Sequence, residues 1–484
     1  MTARLACRCW QALVLLIIAL VIRAPTFGQV LLHLDENFYL LVGDHLAHQG
    51  LWPYLDIWDR KPIGLFALYG GISLLGGDGF LAYQLVAAAF VAATALVILQ
   101  IAAVMTSRVA AFLAAIAYIA WINLFGGYGG QAPVFYNLLV AAAAWGLVSG
   151  LFADPVSSGE PKRIFRTGLV AMLLLGLAIQ IKPTTGFEGL FFGLVLLWYS
   201  RKQPLTRFLL WGVAWVFAAL LPTLAAVVTY WAIGGLDGFV FANLTSILRR
   251  TSSFTPASAD RLLTLFAFTA PLILLSFLGL RRSSIASVRF VQGWSLVAVF
   301  AVLGFGTYYL HYGLPLALPL VISAAIGFDR LNVRRPIALG LMGLIVVAGS
   351  IIVVSKVERR GSRSDIAPVL ELTRTTPGSC PYFTGSTAPT LYILSHSCLP
   401  SRFVISGHLF ESHEAQAIGV DQRAELRRII AGRPKLVTLE TRPGTEESVA
   451  TRRYFAQLLA EDYQLVSTQP VGRVRLSVYV RRAL

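Results

Sequence analysis

Residues 33–75, HLDENFYLLVGDHLAHQGLWPYLDIWDRKPIGLFALYGGISLL, carry the groups best suited to chemistry: adjacent Asp35 and Glu36, then Asp44, Asp56 and Asp59, then Arg60 and Lys61 before Pro62. A carboxylate takes a proton from a hydroxyl nucleophile, and cations stabilise a phosphate as it leaves. The set suits transfer of a group from a lipid phosphate to a hydroxyl at a membrane surface. Each residue also has a plainer reading. Asp35 can cap a helix, worth about 1 kcal/mol, Lys61 can anchor an interface, and Lys182, which precedes Pro183, reads equally as anchor or phosphate contact. Arg249 and Arg250 read as solvated, and His45 and His48 as surface residues of one helix face with no third metal ligand.

The element that positions the carboxylates is a short amphipathic helix. Asp35 stands at its start, Phe38, Leu41, Val42 and Leu46 recur at helical spacing, and Gly50 supplies a left-handed stop. Such a helix is too polar to span a bilayer. Trp52, Tyr54 and Trp58 give the aromatic density expected at a membrane surface, although they could equally stack on sugars, as could Tyr308.

The chain has 484 residues, 56% hydrophobic and 13% charged, with mean hydropathy +0.70. Soluble chains carry about 25% charged residues, so the composition excludes a soluble globule and indicates a polytopic α-helical membrane protein. The net charge of +16 is not a nucleic-acid footprint, because Lys and Arg fall in short clusters between apolar runs. About eleven spans follow from the apolar runs, taking about 20 residues per crossing. They cover residues 10–31, 81–104, 109–125, 132–152, 167–181, 185–200, 207–231, 262–280, 290–306, 313–328 and 337–354, with residues 62–75 in the interface. This count gathers Arg4, Arg8, Arg108, Lys162, Arg163, Arg166, Arg201, Lys202, Arg207, Arg281, Arg282, Arg289, Arg330, Arg334 and Arg335 on the inner side. The positive-inside rule then sets the N-terminus in the cytoplasm and the tail outside the inner (plasma) membrane. Arg23, near the end of the first span, reads as snorkelling.

After residue 355 the composition turns mixed and charged, giving two expected domains, 1–355 in the membrane and 356–484 outside it. Expected strands at 382–385, 402–406, 435–440, 464–468 and 473–480, with helices near 421–431 and 447–462, describe a small α/β domain. Cys380 and Cys398 form a disulfide or remain reduced, and Cys7 and Cys9 lack nearby partner ligands.

His33-Leu34-Asp35-Glu36, then Tyr39, then Arg60-Lys61-Pro62 opening an apolar run, then His311-Tyr312-Gly313-Leu314-Pro315, resemble in that order the motifs of the GT-C superfamily. Within it the protein O-mannosyltransferases and the lipid A aminoarabinose transferases are nearest. The resemblance covers residues 10–355 and implies a multispan helical bundle with interfacial helices in its first loop. It also implies inverting transfer of a sugar from a polyprenyl-phosphate donor to a lipid, envelope glycan or protein acceptor. Carried over, Asp35 is the general base and Glu36 its neighbour in the site. Arg60, Lys61, Lys182, His311 and Tyr312 stand at the donor phosphate, and Tyr39 and Gln131 at the substrate. Two departures are visible: Ile63 replaces a second proline, and the outer turn from Gly129 to Pro133 has Gln131 where relatives often carry an acid. No metal or other cofactor is therefore assigned, although a divalent cation is compatible. The rival class is a transporter or flippase for a lipid-linked glycan, for which internal repeats and mid-membrane ionisable residues are expected; a catalytically dead binding protein is the third possibility.

Overall fold

The computed structural model describes residues 2–152, 160–251, 256–279, 285–304, 307–444 and 446–482, with side chains from residue 9 onward. Arg281 and Arg282, and the side chains of Arg4, Cys7 and Arg8, lie outside the described residues. Twenty α-helices occur among them. The first nine are α1 (Thr2–Arg23), α2 (Leu34–Gln49), α3 (Ile63–Ser73), α4 (Phe80–Ala102), α5 (Arg108–Trp121), α6 (Ala132–Leu147), α7 (Pro161–Ile179), α8 (Gly186–Ser200) and α9 (Leu205–Ala232). Next come α10 (Leu236–Val240), α11 (Ser246–Arg249), α12 (Pro256–Gly279), α13 (Ala286–Leu303), α14 (Gly313–Arg330) and α15 (Arg335–Val357). The tail adds α16 (Arg363–Thr375), α17 (Ala388–Ser395), α18 (Gly407–Phe410), α19 (Gln422–Ala431) and α20 (Val449–Asp462), with strands β1 (Leu436–Glu440), β2 (Tyr463–Val471) and β3 (Val474–Arg481).

Nine helical segments among the described residues are long and apolar enough to cross a membrane. The two expected spans not among them are α7, which carries Lys162, Arg163 and Arg166 in its first turns, and α8, which has 15 residues. The helix α3, with 11 residues, is also too short by this measure.

The chain separates into two compact units. The membrane unit comprises Met1–Ala24, Leu85–Val228 and Ser253–Val353. Polar side chains tie its helices: the Asn137 amide donates to the Tyr118 hydroxyl at 3.1 Å and the Leu314 carbonyl at 3.2 Å, and the Trp121 indole to the Phe268 carbonyl at 2.8 Å. Arg23 does not snorkel. It is fully buried and donates to the carbonyls of Gly127 and Gly129, each at 2.5 Å, so it secures the turn that precedes Gln131.

The loop-and-tail unit comprises Pro25–Gln84, Thr229–Ser252 and Val354–Leu484. Its sheet is antiparallel, in the order β1-β3-β2. Residues 382–385 and 402–406 are not strands. Tyr382 forms one parallel bridge to Val437, and Phe403 belongs to the hydrophobic core around α19 and α20. Trp58, expected at the membrane surface, is 1% exposed and packs in that same core, its ring 5.5 Å from Phe403. Tyr54 is likewise buried, 5.2 Å from Tyr230. Cys380 and Cys398 are joined as a disulfide.

Candidate active site

The first-loop acids separate by role. Asp59 is buried and accepts from the backbone N–H groups of Arg60 and Lys61; Asp56 accepts from the Trp52 N–H at 2.7 Å, and Asp44 lies 3.0 Å from His48. These three shape turns and helix surface. Asp35 and Glu36 remain, in the first turn of α2, where the helix dipole favours negative charge.

Asp35 is not the cap of α2. His33 is, its Nδ1 accepting from the Asp35 N–H at 3.3 Å. Burial holds the His33 pKa below its ordinary value, against the field of Asp35, so the ring is neutral and free to accept. The Asp35 carboxylate, 25% exposed, is therefore not used in capping, whereas Glu36 behind it is fully buried. Asn37 fixes the turn by donating to the Val30 carbonyl at 2.7 Å and to Thr390 Oγ1 at 2.8 Å. The Gly50 stop appears as expected, with φ 67°.

Across from α2 runs α3, entered through Lys61-Pro62. The Tyr54 hydroxyl donates to the Lys61 carbonyl at 2.6 Å, and Lys61 Nζ stands 3.7 Å from Asp59 Oδ1 and 5.4 Å from the centre of the Tyr39 ring. His33 lies in the electrostatic field of both Asp35 and Lys61. Tyr39 packs edgewise on Tyr69 at 5.6 Å, and burial, with the charges of Glu36 and Asp35 added, keeps the Tyr69 phenol protonated. Tyr39 thus lies between Lys61 and Tyr69, whose phenol feels the charges of Glu36 and Asp35. A carboxylate with access to solvent is equipped to take a proton, and an ammonium to balance an anion.

Arg60 turns away from that cluster. Its guanidinium makes a two-point contact with Glu414, its Nε donates to Ser246 Oγ at 2.7 Å, and it lies over the Trp58 ring. Arg250 also meets Glu414, Nε to Oε1 at 3.0 Å, which corrects its reading as solvated. Burial opposes ionisation of Glu414, but the hydrogen bonds from His413 and Arg60 and the Arg60 charge overcome it and hold the carboxyl well below the usual range. Glu411, His413 and Glu446 have spacing that a metal ion would accept. Hydrogen bonds to Glu411 and Glu414 raise His413 to about 9, and Arg250 Nη2 lies 2.7 Å from its Nε2, so the group is an ion-pair network already supplied with cations.

In the membrane unit, Lys182 Nζ lies 4.8 Å from the centre of the Tyr312 ring, and the His311 ring stands perpendicular to Tyr312 at 4.8 Å. Lys182, Tyr312 and Glu188 line a cavity of about 90 Å³. Gln131, 1% exposed, is the N-cap residue of α6. Sequence reasoning passed over two residues here. Glu188, 4% exposed, is the sole acid in the apolar run 185–200, which marks an ionisable group as functional by default. Arg261 stands 4.4 Å from the Tyr309 ring centre, and Tyr309 stacks on His311; nothing in its sequence context signals this. His45, read as a surface residue, is 8% exposed and bonds back to the Leu41 carbonyl.

No family model matches this sequence, and no curated protein does. Solved structures do. The chain is similar to ArnT from Cupriavidus metallidurans in the apo state, at 13% identity and TM-score 0.67 over 98% of both chains. The same protein bound to undecaprenyl phosphate gives 14% identity and TM-score 0.63, over 99% of this chain and 98% of that one. The oligosaccharyltransferase AglB from Archaeoglobus fulgidus, in complex with an inhibitory peptide and a dolichol-phosphate, gives 13% identity and TM-score 0.55, over 98% of this chain and 74% of that one. Both are GT-C proteins. Over nearly its whole length, then, the chain has the GT-C fold that its first-loop motifs imply.

Proposed function

We propose that this chain is a membrane glycosyltransferase that moves a sugar from a polyprenyl-phosphate donor to a hydroxyl of a lipid, envelope glycan or protein by inverting single displacement. Asp35 removes the proton of the acceptor hydroxyl as its oxygen attacks the anomeric carbon. The bond from that carbon to the phosphate oxygen breaks, and polyprenyl phosphate leaves with one more negative charge than it carried as a diester. Lys61 faces that growing charge, and Lys182 with Tyr312 and His311 are assigned to the same donor group. Tyr39 and Gln131 are assigned to the sugar. Arg60 is reassigned from phosphate contact to anchor, because its donors are engaged by Glu414 and Ser246. No metal is assigned, although a divalent cation is compatible with the site.

The observation that carries the reading is the Asp35 carboxylate at the start of α2, where His33 rather than Asp35 is the cap and where the charges of both Asp35 and Lys61 act on the His33 ring. The polyprenyl phosphates bound in the similar structures support the donor class. The Cys380–Cys398 disulfide supports an outer, oxidising location for residues 356–484, which we assign as a tail domain that follows a membrane domain of residues 1–355. The clusters of Lys and Arg support a cytoplasmic N-terminus in the inner membrane.

The test is release of polyprenyl phosphate by the purified protein in lipid from a panel of polyprenyl-phosphate sugars, offered with glycan, lipid and protein acceptors. Release that Asp35→Asn reduces by about 10²–10⁴-fold bears the reading out and identifies the donor. Equal release from the folded variant removes Asp35 as base. No release with any pair removes the transferase reading and leaves a flipping assay on the same preparation to test the rival class.

A further inference from the structure

A cavity of about 600 Å³ opens between the far end of α2 and the tail, wholly within the loop-and-tail unit. One wall is the last turns of α2 and the chain after it, with Asp44, Gln49, Leu51 and Asp56. The other is the stretch from the end of α17 to Arg402, with Arg428 of α19. The volume falls inside the range of small-molecule sites, about 300–1,000 Å³.

Contacts outside the cavity fix its walls. The Cys380–Cys398 disulfide ties down the tail wall, where Ser401 Oγ donates to Glu425 at 2.6 Å and Arg428 Nη2 to the Pro400 carbonyl at 3.2 Å. The Trp58 N–H donates to the Arg402 carbonyl at 2.9 Å and so joins one wall to the other. A cleft built this way loses little freedom when it is filled.

Its residue types define what fills it. Two carboxylates, Asp44 and Asp56, are matched by two guanidinium groups, Arg402 and Arg428, and Arg428 is already paired with Glu425 at 2.6 Å. The cleft therefore calls for no net charge. It offers acceptors in the carboxylates, donors in the arginines, and groups that do both in Gln49 and His396. Leu51, Ile393, Leu399 and Pro400 supply apolar surface among them. A sugar ring presents the complementary combination, with hydroxyls that donate and accept around its edge and C–H groups on its faces.

His396 is an independent sign. It ends α17 in the left-handed region (φ 49°), its N–H bonded to the Ile393 carbonyl, and it is exposed. Glycine or asparagine fills such a position with less strain, and strain held in the wall of a cleft points to function. His396 and Ser397 also line a neighbouring cavity of about 560 Å³, which places the histidine on the rim between two clefts.

We propose that this cleft binds a neutral oligosaccharide segment of the acceptor, which makes the acceptor an envelope glycan chain; the inference rests on the glycosyltransferase reading. Asp44 stands about 14 Å beyond Asp35 along α2, at about 1.5 Å per residue. That is farther than one sugar ring spans, so the units held in the cleft differ from the unit whose hydroxyl reaches Asp35.

The full-length protein in lipid nanodiscs, free of sugar-based detergent, is titrated by calorimetry with mannotriose, chitotriose and maltotriose, and with mannitol and a neutral serine-containing peptide as controls. At least one trisaccharide should bind about tenfold or more above both controls. Gln49→Ala and His396→Asn should each weaken that binding about tenfold, the change expected when one or two hydrogen bonds are lost. Because asparagine suits the left-handed backbone, His396→Asn should keep or raise the thermal midpoint, which separates lost binding from lost folding. Binding of no trisaccharide, tighter binding of the peptide than of any sugar, or binding indifferent to both variants overturns the site. Sugar binding without transfer from any donor removes the transferase alone, whereas transfer whose acceptor KM is unchanged in both variants removes the cleft alone.

Discussion

At the scale of single residues, the proposed chemistry turns on what caps α2. His33 takes that place, so the Asp35 carboxylate is not the cap. His33→Ala should lower stability by about 1 kcal/mol, and His33→Asn should restore most of it, measured as the thermal midpoint in detergent. Burial lowers the folded pKa of His33, so the stability tied to its neutral ring is present above its ordinary value and is lost as the pH falls through the depressed one. Lys61→Ala should reduce transfer by weakening stabilisation of the leaving phosphate, and Lys61→Arg should restore it only in part, since a planar fork does not replace a point charge; steady-state kinetics with the released donor checks both. Much of this half of the site is legible in the sequence, because an Asp-Glu pair and Lys-Pro are unusual in so apolar a chain. Two features are not. Asp is the commoner cap, so nothing local shows that His33 takes that place, and nothing near Arg23 in sequence shows the Gly127 and Gly129 carbonyls it meets.

At the scale of elements, α2 and α3 cross at a glycine pair. A Cβ on Gly43 would meet the Gly70 nitrogen at 2.5 Å, and one on Gly70 the Gly43 carbonyl oxygen at 2.9 Å. Backbone therefore lies on backbone, and the helix bearing Asp35 is set against the one that Lys61 precedes. Gly43→Ala should lower stability by about 1–3 kcal/mol through overpacking and should reduce transfer as well, with unfolding followed by circular dichroism and activity assayed on the same sample. Helix periodicity announces most of these elements: nine of the eleven expected spans are long apolar helices, and α19 and α20 lie where expected. The sheet is less legible. Residues 382–385 and 402–406 have strand-like composition, but a single bridge at Tyr382 and the packing of Phe403 beside Trp58 account for their burial. Short apolar runs specify burial more firmly than they specify strand.

At the scale of the molecule, the loop-and-tail unit is assembled from three separated stretches of chain, and the Arg60–Glu414–Arg250 cluster draws on all three. Arg60→Ala should cost about 3–5 kcal/mol, because it leaves a buried carboxylate short of its partner. The double variant with Glu414→Ala should cost less than the sum of the single ones; denaturant or thermal unfolding of all three proteins checks this. His413 gives the cluster a pH limit. Its folded pKa is raised to about 9, so its contribution is complete below the ordinary histidine value and is lost as pH rises through about 9; His413→Gln should flatten that alkaline decline in thermal midpoint. Composition alone marks a change after residue 355, but not that Trp58 and Arg60 belong with the tail, since pairing across several hundred residues leaves no local trace. That separation also has a consequence in time. Arg60 and Glu414 lie 354 positions apart, so at about 5–20 residues per second a ribosome needs roughly 20–70 s to supply the partner. During that interval the loop of residues 33–75 is outside the cytoplasm on the proposed topology, with Arg60 not yet paired to Glu414 and Trp58 not yet covered by the tail. A nascent chain arrested before Glu414 should therefore present that loop to envelope proteases and chaperones, and completion of the tail should end its exposure.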